Sequence, residues 1–199
     1  VTIKGTLAKN QKETQILSRK NLLPGELLCV TGILGSSSAG LEILKNPALR
    51  KLNSTIAEKM VKSHVHPFPR VSEGAKLTSF GVKSAMDISD GLITDLKKMC
   101  LSSKVGANIF LDQIPINPYL RTLFPKKWIE LAVNGGEDYE LLFSGNEKVI
   151  SQTQKALTTQ VSIIGEVTSE QNRVNLIDST GGTINPTSKG WDHFKSKEG

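Results

Sequence analysis

The fold of this chain is decided by the stretch Ala85-Met86-Asp87-Ile88-Ser89-Asp90-Gly91-Leu92. Apolar residues follow it at helical spacing: Leu92, Ile93, Leu96, Met99 and Cys100. Ser89 or Asp90 stands where the N-cap of that helix is expected. The stretch therefore predicts a turn from a short strand into a helix.

Two carboxylates, Asp87 and Asp90, flank this turn. A helix N-terminus favours phosphate, because its free N–H groups and its dipole attract negative charge. A divalent cation would remove the repulsion between the two aspartates, and Mg²⁺ usually takes one or two carboxylates plus substrate phosphates. These residues predict a magnesium site. The alternative is that Asp90 caps the helix while Asp87 faces solvent.

Length and composition set the class of protein. A chain of 199 residues with 38% hydrophobic and 22% charged residues is typical of soluble globular domains, either one large or two small. Val1 and Ile3 alternate with polar residues as in a strand, so the chain is expected to be a fragment or a processed product. The absence of a signal peptide and of a long apolar run argues against secretion or a membrane span and favours the cytoplasm.

The cysteines and the positive charge indicate neither a metal site nor a nucleic-acid-binding groove. Cys29 and Cys100 lie far apart in apolar surroundings, which predicts free buried thiols. A net charge of +6 suits anionic ligands, nucleic acid included. However, the only tight basic clusters are Lys97-Lys98 and Lys126-Lys127, and aromatic residues are few, so a solvated surface is favoured over a nucleic-acid groove.

Periodicity predicts a mixture of strands and helices along the rest of the chain. The predicted strands are 1–7, 27–31, 107–111, 161–167 and 174–177. The predicted helices are one restarting at Asn46-Pro47 and running to His64, then 72–80, 126–133 and 147–157.

Two features near the first helices can be interpreted either as structural or as ligand-binding. A glycine- and serine-rich turn over 32–40 could cradle phosphate, but no Lys-Ser/Thr pair follows, so close packing is the preferred role. His64 and His66 form an HxH pair that could bind a metal. With no third ligand nearby in the sequence, a surface loop is preferred.

Two further motifs carry candidate site residues. In Asn134-Gly135-Gly136-Glu137-Asp138-Tyr139-Glu140-Leu141-Leu142-Phe143, three acids precede a strand, which is costly unless cations or donors receive them; a polar loop is the alternative. In Gly190-Trp191-Asp192-His193-Phe194, the indole could cover a flat heteroaromatic ring or plug the core.

The chain closely resembles the thiamine-monophosphate kinases of the aminoimidazole ribonucleotide synthetase superfamily. The resemblance rests on these two motifs, on the Asp87–Asp90 stretch, and on Leu27-Leu28-Cys29-Val30-Thr31-Gly32 leading to Ala39-Gly40-Leu41. The resemblance spans nearly the whole chain but only the C-terminal two-thirds of such an enzyme. It implies ATP-dependent phosphorylation of thiamine monophosphate to thiamine diphosphate, with Mg²⁺ bridging ATP and protein carboxylates.

The resemblance also assigns roles to residues. Asp87 and Asp90 match magnesium ligands, while Ser89 and Arg19 match ATP contacts. Glu137 and Trp191 match contacts to the thiamine moiety. None of the residues is assigned covalent chemistry, which suits phosphoryl transfer, where the protein mainly positions groups and neutralises charge. The chain departs from the family pattern around Arg19, at Lys20, Asn21 and Glu26.

The implied fold is α+β, with a mixed sheet flanked by helices. Residues 1–24 are predicted to be a remnant of the N-terminal ATP-binding domain and linker, and residues 25–199 the C-terminal synthetase-like domain. The missing N-terminal domain would supply further magnesium-binding aspartates and most of a homodimer interface, so the chain alone is expected to be inactive. The expected partners are ATP and thiamine monophosphate, with no nucleic acid or membrane. The alternatives are another ATP-using synthetase of the superfamily and a non-catalytic ligand-binding module.

Overall fold

The structure, a computed structural model, describes residues 16–46, 48–49 and 54–184. Within these ranges one mixed sheet is flanked by helices, which confirms the predicted α+β class. The strands are β1 (Leu27–Thr31), β2 (Ser84–Asp87), β3 (Gly106–Phe110), β4 (Leu141–Gly145), β5 (Val161–Thr168), β6 (Val174–Ile177) and β7 (Thr183–Ile184). The helices are α1 (Ser36–Lys45), α2 (Ser54–Val65), α3 (Val71–Ser79), α4 (Leu92–Ser103), α5 (Leu120–Leu123), α6 (Trp128–Val133) and α7 (Glu147–Ala156).

The sheet has the strand order β2-β4-β1-β5-β3-β6-β7. Strand β1 pairs antiparallel with β4 on one side and with β5 on the other. The pairing of β3 with β6 is parallel, which makes the sheet mixed. Strand β1 is an almost continuous apolar run because helices cover both of its faces.

Alternate residues of β1 enter two different cores. Leu28 and Val30 belong to the larger core, together with apolar residues of α1, α2 and α4. Cys29 points the other way and packs with Phe143 and with residues of α3 and α7. Cys29 and Cys100 are buried free thiols, as predicted. Burial raises the pKa of Cys29 to about 12 and that of Cys100 to about 11.

Most of the predicted elements are confirmed. Strands β1 and β6 have the predicted bounds, and α3, β3, α6, α7 and β5 agree within two residues at each end. The predicted strand over residues 1–7 lies outside the described residues, as do Pro47 and residues 50–53; helix α2 is described from Ser54. Among the described residues, no helix combines the length and the hydrophobicity of a bilayer span.

The sheet topology brings three loops to one edge. Strands β1 and β2 each run antiparallel to β4, so their carboxyl ends lie beside the residues that enter β4. Helix α1 follows β1 and helix α4 follows β2. The beginnings of α1 and α4 therefore meet the acidic segment that precedes β4.

Candidate functional site

Backbone hydrogen bonds join the Asp87–Asp90 turn to the acidic segment before β4. The N–H of Ile88 donates to the carbonyl of Glu140 over 2.8 Å, and the N–H of Tyr139 donates back to Ile88 over 3.0 Å. The N–H of Glu137 donates to the carbonyl of Ser89 over 2.9 Å. Two motifs that are distant in sequence thus form one rigid backbone unit.

This close approach requires a glycine at position 136. A Cβ atom added to Gly136 would lie 2.5 Å from the carbonyl oxygen of Ser89, well inside van der Waals contact. The next residue, Glu137, has a positive φ of 63°, which turns the chain back toward the sheet. The pair Gly135-Gly136 therefore serves the packing that delivers Glu137 to the site.

Helix α4 begins differently from the prediction. Its N-cap residue is Gly91, with no side-chain cap, so the prediction that Ser89 or Asp90 caps the helix is wrong. Instead Asp95 reaches back from the first turn, and its Oδ2 atom accepts hydrogen bonds of 2.9 Å from the N–H groups of both Ser89 and Asp90. Asp95 is fully buried. An acid inside the helix thus satisfies the N–H groups of the turn that precedes the helix.

A lysine balances the charge of these aspartates. Lys98 Nζ donates to Asp90 Oδ2 and, over 2.7 Å, to Asp95 Oδ1. Burial of the Lys98 ammonium opposes its charge, but the hydrogen bonds to the two carboxylates outweigh burial and raise the pKa of Lys98 above its ordinary value. Lys97 is exposed, and the Lys98 side chain is 38% exposed although its ammonium group is paired with the two carboxylates. The spacing of three residues between Asp95 and Lys98 was the available signal.

The acids Asp138 and Glu140 have structural partners. Asp138 accepts hydrogen bonds from the N–H groups of Gly35 (2.8 Å) and Ser37 (3.1 Å), at the start of α1. Burial raises the pKa of Asp138 to about 7, although the two N–H donors act in the opposite direction. A carboxylate of the chain itself thus occupies the helix start that the glycine- and serine-rich turn could have offered to phosphate.

Glu140 forms a bidentate ion pair with Arg70. Its two oxygens accept from Nε and Nη2 of Arg70, both over 2.7 Å, and Oε2 also accepts from Thr31 Oγ1 over 2.7 Å. These bonds raise the pKa of Arg70, against the opposing effect of burial. The cationic and donor groups that the sequence required for this acidic segment are therefore present, and they rule out a solvated polar loop. No local pattern in the sequence indicates this role of Arg70.

Glu137 faces a cavity of about 530 Å³. The lining residues come from α1, the end of α2, the turn before α4 and the segment before β4: Ser38, Leu41, His64, Ser89, Asp90, Gly136, Glu137 and Tyr139. Three residues predicted for one site, Ser89, Asp90 and Glu137, are brought together here.

The other predicted site residues are not among the lining residues. Asp87 is exposed at the end of β2, and in the described part of the chain its carboxylate has no hydrogen-bond or ion-pair partner. Arg19 is exposed beside the start of β2, where Ser18 bonds to Lys83 and Ala85. Trp191 lies outside the described residues. The ligand roles of all six predicted residues stay predictions.

His64 is a site residue that sequence reasoning placed wrongly. It lies in the last turn of α2 with a side chain only 17% exposed, so the surface-loop interpretation fails for it, whereas His66 is exposed. His64 Nδ1 lies 3.0 Å from Ser37 Oγ and 3.4 Å from Glu137 Oε2.

A second cavity, of about 320 Å³, lies across the acidic segment from the first. Asp138 and Glu140 line this cavity, whereas Glu137 and Tyr139 line the larger one. The chain turns at Glu137 and at Tyr139, whose φ angles are 63° and 51°, so the side chains of the segment divide between the two cavities. The acidic segment is therefore a wall between two cavities.

The two aspartates of the motif, Asp90 at the larger cavity and Asp87 outside it, fit a magnesium ion shared with substrate phosphates better than a protein-only metal centre. Among the described residues, no group of three or more His, Cys, Asp or Glu side chains could hold a metal. Asp87 and Asp90 offer hard carboxylate oxygens at the solvent-open end of the motif. Magnesium needs only one or two such ligands when substrate phosphates supply the rest.

Comparison with known families and curated proteins gives consistent results. Residues 24–177 match the family model described as AIR synthase related protein, C-terminal domain. The thiamine-monophosphate kinase of Buchnera aphidicola (subsp. Schizaphis graminum) is 39% identical over 182 residues, covering 89% of this chain and 55% of that protein. The Bacillus subtilis enzyme of the same name is 32% identical over 198 residues, covering 98% and 59%. The chain thus spans little more than half the length of these relatives.

Solved structures share the fold. AaThiL complexed with AMPPCP and TMP superimposes with a TM-score of 0.73 at 27% identity, covering 89% of this chain and 54% of that one. Thiamine-monophosphate kinase from Stenotrophomonas maltophilia gives 0.71 at 29% identity, covering 80% and 53%. The hydrogenase maturation protein HypE of Escherichia coli gives 0.62 at 18% identity, covering 85% and 51%, a likeness of fold alone.

Proposed function

Because the chain belongs to the family of AIR synthase related proteins and contains its C-terminal domain, we propose that it is the C-terminal part of a thiamine-monophosphate kinase. The complete protein would transfer the γ-phosphoryl group of ATP to thiamine monophosphate and release thiamine diphosphate. The observation that carries the proposal is the meeting of Ser89, Asp90 and Glu137 in one cavity. The curated relatives of the same name and the AMPPCP and TMP bound in AaThiL support it.

The proposed roles divide the site into a part that binds Mg²⁺ and ATP and a part that binds thiamine monophosphate. Asp87 and Asp90 would hold Mg²⁺, which when bound neutralises phosphate charge. Ser89 and Arg19 would contact ATP. Glu137 and Trp191 would contact the thiamine moiety, whose cationic thiazolium ring suits a carboxylate and an indole.

Two residues near the cavity, Asp95 and Lys98, position and balance the site residues and would not contact the substrates. Asp95 fixes the turn that presents Ser89 and Asp90. Lys98 balances the carboxylate of Asp90. The arrangement suits phosphoryl transfer, in which the protein contributes position and charge.

The proposal also covers the domain organisation, the assembly and the location of the complete protein. The predicted division into residues 1–24 and 25–199 belongs to it, as do an N-terminal domain with further aspartates, a homodimer and a location in the cytoplasm. Without those aspartates the 199-residue chain alone is expected to turn over thiamine monophosphate more slowly than about 1 s⁻¹, an ordinary enzymatic rate.

The test is kinetics on the full-length protein, with formation of thiamine diphosphate from ATP and thiamine monophosphate as the readout. Asp87→Asn and Asp90→Asn should each lower kcat at least about tenfold and leave the protein folded, because each removes a metal-binding charge. The melting temperature of Asp87→Asn should be unchanged, since its carboxylate has no partner among the described residues, whereas Asp90→Asn also loses its ion pair with Lys98. Asp112→Asn, an exposed aspartate on a short 3-10 turn, is the matched control. A full-length protein that binds ATP but forms no thiamine diphosphate would instead support another ATP-using synthetase or a binding module.

A further inference from the structure

We infer that His64 is a positioning residue that holds the Glu137 carboxylate over the cavity assigned to the thiamine moiety. The inference rests on the proposed function, because it concerns the substrate that Glu137 would bind. It assigns a role to one member of the HxH pair that no metal-binding interpretation explains.

The geometry singles out one ring nitrogen. Nδ1 of His64 lies 3.0 Å from Ser37 Oγ and 3.4 Å from Glu137 Oε2. In the described part of the chain, Nε2 has no such partner. The ring therefore lies at the cavity wall with both of its polar contacts on the Nδ1 side.

The contact with Glu137 is attractive only when Nδ1 carries a proton. A glutamate carboxylate only accepts hydrogen bonds, so attraction between Nδ1 and Glu137 requires a proton on Nδ1. The Nδ1–H group then lies at ion-pair distance from Glu137 Oε2 and within hydrogen-bond distance of Ser37 Oγ. The hydroxyl of Ser37 fixes the ring, and the ring in turn fixes the carboxylate.

Glu137 needs such a support because little else restrains its side chain. The backbone of Glu137 is tied to Ser89 by a hydrogen bond of 2.9 Å, but its side chain is 54% exposed. Among residues 16–46, 48–49 and 54–184, His64 is the only residue whose side chain lies within ion-pair distance of that carboxylate. Without the imidazole, a flexible glutamate would spread over several rotamers and lose part of its binding energy to ordering.

The charges of the cavity explain why the support suits a cationic ligand. Asp90 is already paired with Lys98, whereas Glu137 has no lysine or arginine partner among the described residues. Leu41 and Tyr139 add apolar walls. A cavity with one oriented, uncompensated carboxylate and apolar walls fits a cationic or amine-bearing aromatic ring, which describes both rings of thiamine.

The experiment measures steady-state kinetics of the full-length protein for both substrates, beside thermal melts. His64→Leu should raise KM for thiamine monophosphate about five- to thirtyfold, the effect of losing one oriented polar contact. KM for ATP and kcat should change less than about twofold. His64→Asn should restore KM to within about threefold, because its amide N–H can take the position of Nδ1–H. His66→Ala, an exposed neighbour outside this cavity, is the control and should match the wild type.

A double variant separates positioning from general damage. If His64 acts through Glu137, adding His64→Leu to Glu137→Gln should cause no further rise in KM. Where His64→Leu does not fold, His64→Gln replaces it, because its longer amide reaches the position of Nε2 and misses that of Nδ1. Equal increases in both KM values, additive effects in the double variant, or an unchanged KM in a folded single variant would each overturn the inference and leave the proposed function standing. A wild-type protein that forms no thiamine diphosphate would overturn both.

Discussion

Asp95 accepts a hydrogen bond from the backbone N–H of Asp90, with 2.9 Å between Oδ2 and N. The same oxygen accepts a second bond of 2.9 Å from Ser89, and the aspartate is fully buried. The turn that presents the candidate magnesium and ATP ligands is thus held from inside the helix that follows it. The geometry of the site depends on a residue that does not line the cavity.

Asp95→Asn tests this anchor. The amide keeps the shape of the side chain, but only its oxygen can accept, so the two N–H groups and Lys98 can no longer all be satisfied. We expect the free energy of unfolding to fall by about 1–3 kcal/mol, the effect of leaving a buried polar group without its partner. Urea unfolding measures it, with Asp112→Asn as an exposed control expected to stay within about 0.5 kcal/mol of wild type. Equal stabilities of Asp95→Asn and this control would show that the turn holds itself.

The ion pair between Arg70 and Glu140 makes a second prediction. The two side chains are only 19% and 9% exposed, and Arg70→Met would leave the Glu140 charge buried without a cation. We expect a loss of about 3–5 kcal/mol, the usual effect of breaking a buried pair by removing one partner.

The chain offers a matched control for that measurement. Arg173 pairs with Glu170 over 3.1 Å, but both side chains are more than 60% exposed (65% and 61%). Arg173→Met should therefore change stability by only about 0–1 kcal/mol. Similar losses in both variants would mean that burial does not set the strength of the Arg70 pair.

Local sequence patterns predicted the secondary structure well, because each apolar pattern reflects which faces of that same strand or helix are buried. The apolar run Leu27–Thr31 is a central strand with both faces covered, and the helical spacing after Leu92 is the buried face of α4. Resemblance to a family, rather than periodicity, predicted that Ser89, Asp90 and Glu137 would share a site.

The support of that site could not be predicted, because its contacts join distant residues. Arg70 and Glu140 are 70 positions apart, and nothing local to either residue indicates the pair. His64 looked like part of a surface loop because its partners, Ser37 and Glu137, come from two other segments. The error in the N-cap has a local cause: Asp95 holds the N–H groups of Ser89 and Asp90 in the turn, and the helix begins after Gly91. A capping pattern alone does not reveal this second acid.

Asp138 should make stability depend on pH. Its pKa is about 7 in the folded protein because of burial, against 3.8 for an ordinary aspartate. Between these values the folded state holds a proton that the unfolded chain has lost, so stability should fall as pH rises from about 4 to 7 and level off above that. Asp138→Asn, which cannot ionise, should lose this contribution.

The measurement is the melting temperature of both proteins across that range. The difference between variant and wild type should shift in favour of the variant as pH rises, whatever the cost of the lost hydrogen bond at Gly35 or Ser37. A constant difference from pH 4 to pH 8 would show that the folded-state pKa of Asp138 is ordinary.

Two helical glycines should respond to alanine in opposite directions. Gly40 in α1 packs against the backbone of α2, where a Cβ atom would lie 2.1 Å from the carbonyl oxygen of Met60. Gly74 in α3 has room, since the nearest atom to its Cβ would be a methyl of Leu141 at 3.8 Å. Gly40→Ala should therefore destabilise the fold by about 1–3 kcal/mol through overpacking. Gly74→Ala should stabilise it by about 0.4–1 kcal/mol, because alanine restricts the unfolded chain and favours helix. Denaturant unfolding measures the free energy of unfolding of the two variants. An unchanged free energy for Gly40→Ala would mean that α1 and α2 can move apart without loss of stability beside the cavity they line.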